Sequence, residues 1–103
     1  MRKGIAMPER RRLSESEIES ALKHLKGWSI RGGKLHRDFT FGDFVGAFSF
    51  MTSAALIAEG LNHHPEWSNV YNRVAIDLST HSEGGVTGYD VEFAGRLDKI
   101  SPQ

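Results

Sequence analysis

The chain has no cysteine among its 103 residues and only three prolines. Without a thiol it can build no disulfide scaffold, iron–sulfur cluster, thiolate zinc site or cysteine nucleophile. It also carries no net charge, because thirteen basic side chains balance thirteen acidic ones. A chain so balanced has no broad field to draw nucleic acid or an anionic membrane surface. No apolar run approaches the roughly 20 residues of a membrane helix. The opening MRKGIAMPERRR is too polar for a signal-peptide h-region. These absences predict a cytoplasmic protein with no direct nucleic-acid partner and no membrane partner. There is also no GxGxxG fingerprint, P-loop or GxSxG elbow, which leaves nucleotide cofactors and serine-hydrolase chemistry unsupported.

What is present suits one packed core. Hydrophobic residues make up 39% and aromatic residues 10% of the chain, against the composition of disordered segments. The length predicts a single domain over 1–103, with residues 1–12 a flexible lead-in. The run Arg10-Arg11-Arg12 reads as a solvated, frayed terminus.

The pattern along the chain predicts seven elements. Ser14 and Glu17 have capping-box spacing, and Ile18, Leu22 and Leu25 recur at helical spacing up to Gly27. A helix over Glu15 to Lys26 follows. Gly32-Gly33 between short alternating runs predicts a hairpin with strands near 28–31 and 34–40. Residues 42–61 form a long helix that Pro65 stops. Strands follow over 67–71 and 73–80, turning near Tyr71-Asn72. Gly84-Gly85 marks a loop, and Thr87 caps a last helix with Asp90 in its first turn. The order α-β-β-α-β-β-α predicts an α+β fold in which helices cover one face of a four-stranded antiparallel sheet.

The long helix has more apolar surface than one sheet can cover. At about 100° per residue, Phe44, Phe48, Met51 and Ala55 share one face. Phe50, Ala54, Ile57 and Leu61 form another. Only the strip around Gly46, Ser49, Ser53 and Gly60 lacks large apolar side chains. A helix on a single sheet needs a stripe only somewhat wider than 100°, so one face of 42–61 is predicted to meet another subunit or a partner protein.

Histidines carry the candidate chemistry. His24 on a helix and His36 on a strand read as incidental. His63-His64 follow the long helix and His81 ends the last predicted strand, and chain ends are where site residues converge. Glu59 lies four residues before His63, within reach if the helix continues that far. Singly, each histidine is better read as a helix cap or a loop hydrogen bond; together they suggest one cleft. A three-histidine zinc site would suit it, but nothing supplies tight ligand spacing such as HExxH. Metal-free acid–base catalysis suits it as well, since imidazole titrates near neutrality. Trp28, Trp67 and Tyr71 either line a pocket for a flat heterocycle or simply pack. Asp90 either orients a histidine or serves the helix terminus.

The spacing of Glu59, His63-His64-Pro65, Tyr71, His81 and Asp90 resembles the signature of the pterin-4a-carbinolamine dehydratase family. The stretches NHHPEWSNVYNRV and LSTH are especially close, and Gly27-Trp28 and FGDFVGAFSFMTSAALIAE are similar to the animal members. The resemblance covers about residues 13–100. It implies a four-stranded antiparallel sheet backed by three helices, and dehydration of a 4a-hydroxytetrahydropterin without metal or organic cofactor. It also implies homodimers or homotetramers through sheet edges and the long helix. In animals the family doubles as a dimerisation cofactor of a homeodomain transcription factor, so a protein-interaction module acting through helix 42–61 is the alternative. Carried onto this chain, it makes His63 and His81 an acid–base pair with His64 in the same pocket, and has Glu59 and Asp90 orient the histidines. Asn62-His63-His64-Pro65, Trp67, Ser79-Thr80-His81-Ser82 and Trp28 would contact substrate. Animal members have aspartate where this chain has Asn62 and glutamate where it has Ser82, so the pocket edge loses negative charge here.

Overall fold

The computed structural model describes residues 7–103. Its first helix, α1 (Glu15–Leu22), begins where side chains can serve free amides. The Ser14 hydroxyl accepts from the Glu17 amide and the Glu17 carboxylate accepts from the Ser14 amide, as the capping-box spacing required. The helix stops at Leu22, short of the predicted Lys26. The chain tightens there into i→i+3 bonds, from His24 to Ala21 at 3.0 Å and from Leu25 to Leu22 at 3.2 Å. Gly27 then turns the chain at φ 87°. That positive φ favours glycine, and a Cβ there would also lie 2.9 Å from Arg37 Nε and push that side chain aside.

Two short strands follow, β1 (Ser29–Arg31) and β2 (Lys34–Thr40), joined by Gly32 and Gly33, both at positive φ. The long helix α2 (Phe44–Leu61) is capped by Asp43, which accepts from the Gly46 amide at 2.8 Å. Strands β3 (Glu66–Val70) and β4 (Arg73–Leu78) come next, and α3 (Gly88–Ile100) closes the chain. The sheet order is β1-β2-β4-β3, antiparallel throughout. The last strand is shorter than predicted. It ends at Leu78, Thr80 makes an isolated bridge to Gly85, and His81–Glu83 form a 3-10 turn. His81 therefore lies beyond the strand, because the Thr80 amide bonds the Gly85 carbonyl across a closed loop at 2.8 Å.

Alternation places the core on one sheet face. Leu35 opposes Leu78 and Phe39 opposes Val74, and all four are fully buried together with Ile76. Helix α2 covers them with Ala47, Phe50, Ala54, Ala58 and Leu61, and α3 with Phe93, Ala94 and Leu97. The other face is polar. There His36 lies between Asp77, 2.9 Å from Nδ1, and Arg31, 2.6 Å from Nε2.

Of the two apolar faces of α2, the one bearing Phe50, Ala54 and Leu61 is buried. The other leaves Phe44 47% and Phe48 52% exposed with Met51 half-buried, and Val45 and Leu56, farther round the helix, are also in solvent. By length and composition alone α2 is long and apolar enough to cross a membrane, with mean hydropathy 1.5 over 18 residues. This corrects the reading of the sequence as lacking such a run, although here the helix packs one face on a sheet.

The reading of residues 1–12 as a loose lead-in divides in two. Residues 1–6 lie outside the described residues. Residues 8–12 are anchored: Arg12 pairs with Thr87, the Leu13 amide bonds the Val86 carbonyl at 2.8 Å, and Arg11 grips Glu17 with two bonds of 2.9 Å. The Arg11 guanidinium, then the Ser14 amide, hold the Glu17 carboxyl down at about 2 from the ordinary 4.5. A carboxylate depressed by folding stabilises the structure above its unfolded value and ceases to do so as pH falls through its folded one. Carbon-detected NMR of the Glu17 carboxyl should therefore show a midpoint near 2, and Arg11→Ala should return it toward 4.5.

Candidate active site

The histidine segment is placed by how α2 ends. Asn62 adopts the left-handed conformation at φ 49°, which asparagine tolerates better than most residues. The His63 amide then bonds the Ala58 carbonyl at 3.0 Å and the Asn62 amide bonds Glu59 at 3.2 Å, the paired closure of a Schellman motif. The helix thus stops before the histidines. Glu59 does not share a helical face with His63; it meets His64 instead, with Oε2 2.5 Å from Nε2. That pair is exposed, with side chains 58% and 77% accessible, so its direct contribution to stability is small.

His63 is buried and faces Asp90 at the start of α3, its Nε2 2.5 Å from Oδ1. Asp90 is wholly buried, and its second oxygen accepts from the Thr80 hydroxyl at 2.8 Å and the Thr87 amide at 2.9 Å. Since Thr80 spends its proton on Asp90, the 2.7 Å contact between the two threonine hydroxyls has Thr87 donating. Thr87 Oγ1 in turn accepts from the Tyr89 amide at 3.2 Å. Among the described residues no fully buried side-chain polar atom lacks a partner, which is what burial demands. Asp90 therefore completes the capping box of α3 with one oxygen and orients His63 with the other. With Nε2–H committed to Asp90, Nδ1 is the ring nitrogen left to exchange a proton.

The network draws together parts of the chain far apart in sequence. Thr80 ties the loop after β4 to Asp90, and this loop carries Ser79, His81 and Ser82. The His81 side chain is exposed on its 3-10 turn and has no hydrogen-bond partner among the described residues. Pro65 and Trp67 lead from the histidines into β3, with Trp67 half-buried against the core. Trp28 is held elsewhere. Its indole donates to Asp98 at 2.8 Å, its ring meets Phe39 edge-on at 6.0 Å, and Arg37 donates to the same Asp98 oxygen. Tyr71 sits exposed in the β3–β4 turn at φ 53°. Both are thus placed by packing and turn geometry. Among the described residues no three histidine, aspartate or glutamate side chains are grouped to share a metal ion, so the three-histidine zinc alternative has no ligand set here.

Two residues of the site escaped the sequence reading. Thr87 was legible only as a cap, although Thr87-x-x-Asp90 has capping-box spacing. Tyr89 has its ring centroid 5.7 Å from that of His63, and no spacing rule links them. Replacing Asp90 by asparagine keeps the volume and substitutes a donor for an acceptor. Asp90→Asn should lower unfolding free energy by about 1–3 kcal/mol in urea titration. Nitrogen NMR should also show His63 no longer held in one tautomer.

Comparison with known proteins shows the family. The profile described as pterin 4 alpha carbinolamine dehydratase matches residues 11–100. A Solibacter usitatus protein provisionally named pterin-4-alpha-carbinolamine dehydratase is 57% identical over 90 residues, which span 87% of this chain and 95% of that protein. A Brucella ovis protein with the same provisional name is 51% identical over 94 residues, covering 89% and 97%. A crystal structure from Brucella melitensis, described as a transcriptional coactivator/pterin dehydratase, superposes with TM-score 0.86 at 50% identity and covers 88% of this chain and 99% of that one. With the match running through every element from α1 to α3, the chain belongs to the pterin-4-alpha-carbinolamine dehydratase family.

Proposed function

We propose that this protein is a cytoplasmic dehydratase that converts 4a-hydroxytetrahydropterin to quinonoid dihydropterin, recycling the pterin cofactor of aromatic amino acid hydroxylases. The observation that carries the reading is the buried His63–Asp90 pair backed by Thr80 and Thr87. The reaction breaks the C4a–O bond and forms a C4a=N5 double bond. The leaving oxygen takes a proton and departs as water, and N5 gives up its hydrogen as a proton. No electrons are exchanged with the surroundings, so two imidazoles suffice, one donating and one accepting.

In this reading His63 and His81 are the acid–base pair. Asp90 holds His63 with Nδ1 facing the reaction, and Thr80 carries His81 beside it in the chain. His64, steadied by Glu59, binds substrate and assists proton transfer. Asn62, Pro65, Trp67, Ser79 and Ser82 line the approach. Purified protein should speed the decay of the carbinolamine's ultraviolet signal. His63→Ala should lower kcat by about a hundredfold or more while the chain stays folded. If the unaltered protein does no better than buffer, the dehydratase reading fails.

The exposed face of α2 supports a homodimer or homotetramer, with β3 and β1 as the sheet edges for pairing. The Brucella melitensis protein's description as a transcriptional coactivator favours a second, compatible reading, in which this face grips a partner protein. Replacing Phe48 and Leu56 together with glutamate should shift the protein to a smaller species in light scattering. An unaltered protein that is monomeric at micromolar concentration would overturn the assembly.

A further inference from the structure

The N-terminal arm lies against the segment that leads into α3. Arg12 pairs with Thr87, and Leu13 bonds Val86 at 2.8 Å. A Cβ added at Gly88 would sit 3.4 Å from Glu9 backbone and from Pro8, so the arm packs closely there. Arg11 fastens the arm to α1 through Glu17. None of the residues 8–12 is buried, so the arm is not part of the core.

Within this arm Arg10 places its guanidinium carbon 4.3 Å from the centre of the Tyr89 ring. That ring is itself 5.7 Å from the His63 ring, inclined at 52°. The bond to Asp90 holds the imidazole at Nε2, and the tilt of the ring plane about that anchor depends on what packs against its faces. Tyr89 supplies a second contact. Its ring lies between the arginine over one face and the histidine beside it, so the arginine bears on the ring that meets His63. Both rings are nearly buried, with Tyr89 9% and His63 6% exposed.

We propose that Arg10 is a positioning residue of the histidine site: stacked on Tyr89, it sets the plane of the His63 imidazole, making the N-terminal arm part of the catalytic apparatus. The inference rests on the dehydratase reading for its kinetic consequence only. An exposed cation–π contact has a strength that corresponds to about a two- to fivefold effect on rate if it is lost.

The test uses the full chain with Arg10→Ala, Arg10→Lys, Tyr89→Leu and the Arg10→Ala/Tyr89→Leu double variant. Arg10→Ala should lower kcat about two- to fivefold with KM nearly unchanged. It should displace the His63 ring resonances in proton–nitrogen NMR and leave the melting temperature close to that of the unaltered protein. Arg10→Lys should restore most of the rate, since an ammonium also sits on a ring face. In the Tyr89→Leu background, removing Arg10 should have no further effect. The proposal is overturned if Arg10→Ala leaves kcat and the His63 resonances unchanged, if its loss tracks a large fall in melting temperature, or if the two single losses multiply. Should the unaltered protein lack dehydratase activity, that reading falls by itself, and the His63 resonances of Arg10→Ala and Arg10→Lys still decide the positioning role. The same two variants decide it if Tyr89→Leu fails to fold.

Discussion

A buried carboxylate organises this protein's site. Asp90 has no exposure and accepts from His63, Thr80 and Thr87 at once. Each bond ties a different stretch of chain to the first turn of α3: the segment after α2, the loop after β4, and the cap of α3 itself. A buried acceptor left without a donor is costly, so these three stretches must arrive together. Helix initiation and histidine orientation thus depend on one side chain, and neither could drift without disturbing the other. His64 is arranged differently, with its partner Glu59 in solvent, where such a contact steers more than it stabilises.

The second organising constraint is surplus. A short chain with one four-stranded sheet has a single apolar face to cover, and α2 brings apolar side chains for more than that. Ala47, Ala54 and Ala58 are buried in one cluster with Phe39 and Ile76, while Val45, Phe48 and Leu56 remain outside. The opposite sheet face spends its positions on charge, with His36, Asp77 and Arg31 linked and Lys34 bonded to Glu66. Polarity on one face and apolar excess on the far side of the helix layer give the molecule distinct surfaces.

Much of this was legible in residue order. The capping boxes at Ser14 and Thr87, the Gly32-Gly33 hairpin, the strand alternation of Val74, Ile76 and Leu78 and the helical run before Pro65 each follow from local stereochemistry. The errors lie where tertiary contacts outweigh local preference. The end of α1 moved from Lys26 to Leu22 because Leu25 and Trp28 must reach the core through a tight turn. The end of β4 moved to Leu78 because Thr80 is drawn to Asp90 and Gly85. Arg10, Arg11 and Arg12 looked like a frayed run because their partners Tyr89, Glu17 and Thr87 carry no spacing signal relative to them.

The histidine site divides the same way. Sequence alone determined which side chains were available, the absence of thiols, the two histidines before Pro65 at a helix end and the acidic residue at a helix start, because these depend on composition and on contacts within a few positions. Only the tertiary structure decided the pairing of His63 with Asp90 and of His64 with Glu59, and the placing of Trp28 on Asp98 and Phe39. The physical reason is reach. Capping and turn rules act over three or four residues, whereas His63 and Asp90 stand 27 positions apart and meet only once the sheet and both long helices have packed.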